Sequence, residues 1–592
     1  MLLCNRIMTT VTILDGYVDE PTCLGVPPYL SPYPRYIAGG IWNAKKDVEV
    51  HYITIDQLRN HEKKTKVISR SDVIVVVAGM VVPGRYLSGF PMSPREITGF
   101  LGKLEENIKV LCGPAAKHGF GVSGGKNVRE VDELKGFFDL IIKGDPEVAL
   151  NQLLLENLDV DAVDPDTVRA SAGEIREYAI RGARIVTQHP NFPDYLIVEI
   201  ETYRGCSRTV VGGCSFCSEP LKGLPDFRSP QDIIDEMTSL YKLGVKHFRL
   251  GSQPCIFSYM SKGVEELEFP QPNPEVIEKL FKGIRTVAPQ IKTLHVDNAN
   301  PGVIARYPEE CRRIAKSIVR YHTPGDIAAF GVESADLKVI RENNLKATPD
   351  EVIKAVRLIN DVGRHRGYNG LPEFLPGINL VFGLKGESKE TFECDYEFLR
   401  RILDEGLLVR RINLRQAIPL PGTRMYDVGS KLVRKHKEYF KRFKRQVREN
   451  IDRPMLKKIV PSGTVLKDVY TEIHMGKTTF ARQLGSYPIL VGIPGVFELN
   501  KFIDVKVVDH GYRSITALPY PFPINTASKD TIEALPDVGR KRVSRILVKR
   551  PFSDEQQVMD ALDDPSLGEK LLKFGVSIEQ LFLLCYLLYY IW

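Results

Sequence analysis

At 592 residues the chain is too long for one ordinary domain and fits about three to five modules. Its 43% hydrophobic and 26% charged content is that of a globular chain, and ten cysteines over this length exclude a disulfide-stapled secreted scaffold. A formal net charge of +7 is modest for the size, so the informative quantity is where the charge sits.

The first residues, "MLLCNRIMTTVTILDGYV", break their apolar positions with polar ones and carry no cleavage site of the secretory kind, so a cytoplasmic location is expected. Across 1–150, "VTILDGY" (11–17), "DVIVVVAG" (72–79), "IKVLCGP" (108–114) and "FDLIIKGD" (138–145) are short apolar runs ending in Gly or Asp, with long segments between them. That pattern predicts buried parallel strands in a doubly wound, Rossmann-like α/β domain. A polar stretch, 151–192, reads as a linker holding a helix near 166–180.

From 193 to 430 the alternation is more regular. Strands are expected at 195–201, 246–251, 293–297, 327–333, 377–384 and 411–418, with amphipathic helices at 230–244, 274–287 and 349–361 that open on Pro, Ser or Asp. Six such repeats predict a partial (β/α)6 barrel, whose chemistry gathers at the C-terminal ends of its strands. Next comes "KLVRKHKEYFKRFKRQVR" (431–448), about half Lys and Arg, inside a basic helical connector at 431–461. It is either a solvated helix face or a surface for phosphates. Short strands with Gly and Pro between them, 462–525, predict a small β-barrel, and 526–592 is helical. The final "LFLLCYLLYYIW" is apolar but too short for a bilayer span, and is expected to form a buried helix, with an interfacial anchor as the alternative. The whole is an α/β protein with a small C-terminal β section and a helical hairpin.

The densest chemistry lies in "YRGCSRTVVGGCSFCSEP" (203–220), just past the first expected barrel strand. Cys206, Cys214 and Cys217 offer three thiolates on one loop. Zinc normally takes four protein ligands, and His189 is the available fourth. An iron–sulfur cluster that keeps one iron open needs only three, and the thiols could also be unliganded. The residues between Cys206 and Cys214, "SRTVVGG", are expected to bulge outward, with Gly212 and Gly213 turning the chain back.

"CSFC" (214–217), with a third cysteine upstream on the same loop, resembles the radical S-adenosylmethionine superfamily. So do "GVESADLKVIRENNLKATPDEVIKAV" (331–356), "LVFGLKGESKETFECD" (380–395) and "IPLPGTRMYD" (418–427), in the order those enzymes show. Seven residues intervene before the second cysteine where three are usual. The resemblance implies a 4Fe–4S cluster on Cys206, Cys214 and Cys217, an open iron chelating S-adenosylmethionine, and a 5′-deoxyadenosyl radical that abstracts hydrogen from substrate. It further implies a low-potential electron donor, and cofactor contacts from Phe216, Gly251, Ser252 and Glu333.

The flanking modules carry weaker resemblances. "DLIIKGDPE" (139–147) is similar to the end of cobalamin-binding domains, although the Asp-x-His-x-x-Gly pattern of a lower cobalamin ligand is absent. Methylthiotransferase N-terminal domains hold an additional cluster on three cysteines; here Cys23 and Cys112 fall in comparable places and the middle cysteine is missing. Residues 462–525 are similar to the RNA-binding TRAM barrel of those enzymes. "TIEALPDVGRKRVSRILVKRPF" (531–552) resembles a helix-hairpin-helix motif, as in an archaeal-type group of radical S-adenosylmethionine proteins, with Lys541, Arg542 and Arg545 placed to meet phosphates. Together these predict an enzyme that methylthiolates or methylates a nucleic acid, RNA rather than DNA. The alternatives are a radical enzyme acting on a small molecule or protein, and a nucleic-acid-binding protein with a structural cluster.

Overall fold

Val73–Val77 has every side chain buried, the condition for a parallel strand covered by helices on both faces. In the computed structural model, which describes residues 8–19, 28–79, 89–121, 124–129 and 131–578, this strand is the centre of a five-stranded parallel sheet. Across that sheet the strands run Glu49–Thr54, Thr10–Asp15, Val73–Val77, Ile108–Cys112 and Leu140–Ile141. Numbered along the chain this is 2-1-3-4-5, a doubly wound order whose ligand edge is the carboxyl ends of the strands. The strand expected over 138–145 shrinks to two residues. Glu49–Thr54 is a strand that the sequence pattern does not announce: an edge strand alternates polar and apolar positions (Glu49, His51) and lacks the continuous apolar run. Cys23 and the apolar tail 581–592 lie outside the described residues.

The six strands expected between 195 and 418 are present in two four-stranded parallel sheets. One orders Thr293–Val296, His247–Gly251, Ile197–Glu201 and Tyr29–Leu30; the other Asn298–Ala299, Asp326–Glu333, Phe374–Phe382 and Arg411–Gln416. The chain passes from the first sheet to the second at Asp297. Tyr29–Leu30 comes from the N-terminal region and extends the first sheet, so the two α/β parts share a strand ladder.

The helices between these strands start where the sequence places their caps. Ser229 Oγ accepts the Asp232 N–H (3.2 Å) at the head of Pro230–Lys242. Thr348 and Glu351 form a reciprocal capping box at the head of Pro349–Gly363. The helix expected near 166–180 is Ile175–Gly182. Between the N-terminal helix Pro32–Ala44 and the first barrel helix lies a buried charge cluster. Arg228 donates to Asp232 (2.7 Å), Glu236 (2.6 Å) and Tyr36 (3.0 Å), and Arg35 donates to Glu236 and to the Glu199 carbonyl. Buried charges survive only when paired this fully, and deleting one partner typically costs about 3–5 kcal/mol.

The chain divides into two compact units: Met1–His365 with Glu373–Val447 and Gly485–Tyr487, and Arg366–Pro372 with Arg448–Leu484 and Pro488–Trp592. The second contains a closed five-stranded barrel, in ring order Val465–Met475, Thr478–Gln483, Leu490–Pro494, Ser514–Pro519 and Phe502–His510. Closure removes the exposed edges of so small a sheet. Helices Lys529–Glu533, Arg540–Lys549, Glu555–Leu562 and Pro565–Phe574 follow around a core that includes Ile532, Val543, Ile546, Val558 and Leu571. Among the described residues no helix is long and apolar enough to cross a membrane.

Candidate cluster and cofactor site

The cysteine loop follows Ile197–Glu201 and the two-residue strand Tyr203–Arg204, at the carboxyl edge of the first barrel sheet. "SRTVV" (207–211) coils into a short 3-10 helix that leaves Val210 and Val211 exposed. Gly212 (φ +77°) and Gly213 (φ +62°) then reverse the chain, as the loop's outward bulge requires. A Cβ on Gly213 would stand 2.3 Å from Pro220 Cγ, so only glycine fits this turn.

Inside the bulge Arg208 is buried. Its Nη1 donates to Cys214 Sγ (2.8 Å), and its other nitrogens reach Glu268 (2.8 Å) and Asn344 Oδ1 (3.3 Å). Cys217 Sγ accepts the Glu219 N–H at 3.4 Å. Burial pushes the Cys217 thiol up to about 12 and raises Cys206 as well, and Cys214 acts electrostatically on both. Burial would lower the Lys346 ammonium, but Cys214, Glu333 and Cys217 outweigh that and hold it above its usual range. Against that burial, the N–H donors and the two cations, Arg208 and Lys346, favour anionic sulfur, which is the form that binds iron. This donor set therefore fits a cluster.

It does not fit zinc. Among the described residues no three His, Cys, Asp or Glu side chains converge as ligands of a single ion do, whereas a cubane spreads its cysteines over separate irons. His189, the candidate fourth zinc ligand, is engaged elsewhere: it stacks on Tyr52 (centroids 5.8 Å apart) and its Nδ1 accepts the Asn191 N–H (3.1 Å). Of the two candidate ligands for a second cluster, Cys23 lies outside the described residues. Cys112 is fully buried, its thiol faces the Val76 carbonyl (3.6 Å), and it is the one described cysteine of the N-terminal domain.

Clamps from distant segments hold the loop. Asn344 Nδ2 donates to the Val211 and Gly213 carbonyls (both 2.8 Å). Asn343 holds Ser215 through its carbonyl (3.0 Å) and its side chain (2.7 Å). From the "PGTRM" segment, Met425 N–H bonds the Ser215 carbonyl (2.9 Å) and Arg424 Nη2 bonds that of Gly213 (2.6 Å). The motifs of the second sheet thus act as struts for the cysteines.

Cys214, Phe216 and Cys217 line a cavity of about 810 Å³ together with Ser252 and Glu333. Phe216 also packs on a small core of Val339, Ile340, Leu384 and Met425. Ser252 (φ +53°) is held by its N–H on Glu199 Oε1 (3.1 Å). Gly251 stands behind the wall, where a Cβ would meet Glu199 Oε1 at 2.0 Å; its part is to make room for that carboxylate. Glu333, at φ +69° beside a register shift in its strand, has its carboxyl raised by burial and lies 3.9 Å from Lys346 Nζ.

The opposite wall comes from the N-terminal domain. The turns after Ile108–Cys112 and Leu140–Ile141 line it, so the ligand edges of both α/β parts face one cavity. Between them lies a charged hub. Arg169 reaches Asp145 (3.4 Å), Glu147 (3.2 Å) and Glu201 (3.0 Å), while Arg204 pairs with Asp145 and Asp226. Burial raises the Glu147 carboxyl to about 7, against the pull of Arg169.

The residues expected to meet phosphate divide. Arg542 donates Nε to the Leu562 carbonyl (3.0 Å) and pairs with Asp564 (3.4 Å); Arg545 reaches Asp563 (2.8 Å) and the same carbonyl (3.2 Å). Both therefore finish the C-terminal end of Glu555–Leu562. Lys541 is exposed, and Asp537 at the preceding turn pairs with Lys570. In the basic run, Lys437–Val447 is a helix with Phe443 and Val447 inward and Lys437, Lys441, Arg442 and Arg445 exposed.

Sequence reasoning missed Arg208, Asn343, Asn344, Lys346 and Glu199. "RENNLK" (341–346) held a signal: two adjacent amides and a lysine just after a motif strand.

The model of the radical SAM superfamily matches residues 200–399. The chain is 51% identical over 508 residues to the uncharacterized protein MJ0274 of Methanocaldococcus jannaschii, spanning 85% of this chain and 92% of that one. It is 45% identical to an uncharacterized protein of Archaeoglobus fulgidus, over 92% of this chain and 96% of that one. A tRNA-2-methylthio-N(6)-dimethylallyladenosine synthase of Desulfotalea psychrophila is 22% identical over 50% of this chain and 58% of its own. Among solved structures, the cobalamin-dependent S-adenosylmethionine radical enzyme OxsB aligns at a TM-score of 0.46 and 14% identity, over 74% of this chain and 56% of that one.

Proposed function

This chain belongs to the radical SAM superfamily, and on that premise we propose that it modifies a nucleic acid, RNA rather than DNA, by methylthiolation or methylation. Bound together, a 4Fe–4S cluster and S-adenosylmethionine supply a 5′-deoxyadenosyl radical by one-electron cleavage of the sulfonium, for which an electron donor of low potential is required. Cys206, Cys214 and Cys217 would hold the cluster, with the Arg208 N–H on Cys214 supporting its anionic sulfur. Phe216 would lie near the adenine, and Ser252 and Glu333 offer polar atoms to the rest of the cofactor. Glu199 fixes Ser252 and acts as a positioning residue. A cavity of about 810 Å³ leaves room beside the cofactor for a base-sized group.

The observation that carries the nucleic-acid part is the helix Lys437–Val447. Phe443 and Val447 are spent on the core, and the exposed side carries a row of cations, Lys437, Lys441, Arg442 and Arg445, of which Lys441 pairs with Glu438 (2.8 Å). Such a row matches a polyphosphate backbone. The relative from Desulfotalea psychrophila, named for a tRNA modification, supports the same reading. Mass spectrometry of nucleosides from a strain lacking the gene tests it: one modified nucleoside should disappear. An unchanged profile in both RNA and DNA would sink the proposal.

A further inference from the structure

Every described carboxylate on the cavity wall already has a partner. Asp145, Glu147 and Glu201 share Arg169, and Asp226 sits on Arg204. Glu219 pairs with Lys222 (2.9 Å) and Asp297 with Arg249 (2.5 Å). Glu199 accepts from Tyr29 and the Ser252 N–H, and Glu333 faces Lys346.

Three wall cations are left over. Lys117, in the short helix Pro114–His118 after the fourth strand of the N-terminal sheet, Lys143, just past its fifth strand, and Arg415, on Arg411–Gln416, form no ion pair and no side-chain hydrogen bond among the described residues. All three are exposed. The two sides are tied together: Gly125 N–H bonds the Ala417 carbonyl (3.0 Å), two residues past Arg415. Arg415 is felt by Glu333 only at longer range, so none of the three is held by a protein carboxylate in an ion pair, and exposed cations on a cavity wall without such a partner suit an anion carried by the ligand.

We propose that Lys117, Lys143 and Arg415 form a phosphate-binding rim that seats the substrate's phosphate groups between the N-terminal domain and the radical barrel. This rests on the nucleic-acid reading above and deepens it: the N-terminal domain supplies half of the substrate grip. Phosphates flanking the target nucleotide lie on the rim while the base enters the cavity toward Ser252 and Glu333.

The test uses the full chain and the triple variant Lys117→Ala, Lys143→Ala, Arg415→Ala. Exposed side chains leave the melting temperature unchanged, and a charge-conserving variant (Lys117→Arg, Lys143→Arg, Arg415→Lys) controls for shape. Fluorescence anisotropy follows a single-stranded RNA oligonucleotide across a salt series, with a nucleoside 5′-monophosphate as a second probe. Each single-strand phosphate contact contributes about 0.7 to the slope of log affinity against log salt, so the alanine triple should lower that slope by about 2 and the conserving variant should not. RNA binding with an unchanged slope in the alanine triple overturns the rim while leaving the nucleic-acid reading intact. Loss of monophosphate binding in that variant, from a wild type that ignores RNA, keeps the rim and overturns the nucleic-acid reading. No salt-dependent binding of either probe by the wild type overturns both.

Discussion

The cysteine loop and the C-terminal helices each present arginines beside a glycine-bearing turn, and they use them in opposite ways. Arg208 is buried and puts a guanidinium N–H on Cys214 Sγ, the sulfur proposed as a cluster ligand. Arg542 and Arg545 are half-buried and put theirs on the Leu562 carbonyl, where a helix end would otherwise be left unsatisfied. Residue type and local spacing are alike in the two regions. The difference is what the tertiary fold delivers opposite each side chain: a sulfur in one, an orphan carbonyl in the other.

The contrast breaks most visibly at Cys214. Cys214→Ala should reduce S-adenosylmethionine cleavage, assayed as 5′-deoxyadenosine after anaerobic reconstitution, to background while nucleic-acid binding persists. Retained cleavage would remove Cys214 from the ligand set and Arg208 from its supporting part.

The C-terminal region gives a smaller effect. Arg542→Ala should cost about 0.5–1.5 kcal/mol in denaturant unfolding, because it removes one of the two guanidinium donors on the Leu562 carbonyl while Arg545 keeps the other. Lys541→Ala should leave stability within about 0.5 kcal/mol and instead weaken RNA binding at low salt. If both substitutions act alike, the division between structural and phosphate-facing cations fails.

A further effect concerns pH. Burial holds the Asp395 carboxyl at about 7, against an ordinary 3.8, while it accepts the Ala335 N–H (2.5 Å) just past Glu333. The folded protein thus keeps a proton that the unfolded chain releases above its ordinary value, so stability falls as pH rises from about 4 to 7. Asp395→Asn should flatten that fall by roughly 4 kcal/mol. Parallel pH dependence in the two proteins would mean the carboxyl is ionised in the fold.

Much of the central α/β region is legible in the amino-acid sequence. Its strands announce themselves as apolar runs, its helices by Pro with Ser, Asn or Thr at their caps, and the three cysteines by their spacing after the first strand. Glu49–Thr54 and Tyr29–Leu30 are not legible there, because an edge strand and a two-residue strand carry too little periodicity. Lys346, Asn343 and Asn344 are hidden for another reason: they meet the loop from well over a hundred residues away, and periodicity shows which face of an element is buried but not what it is buried against.

By itself, then, the sequence determined the parallel strands, the thiolate set and the glycines at which the cysteine loop must turn, since these depend on local sterics and hydrophobic period. The tertiary structure alone decided that two strand edges face one cavity, that Arg208 serves a sulfur while Arg542 serves a helix end, and that Lys117, Lys143 and Arg415 form no ion pair among the described residues. Charge balance inside a cavity is a sum over walls from distant segments, and no local pattern carries that sum.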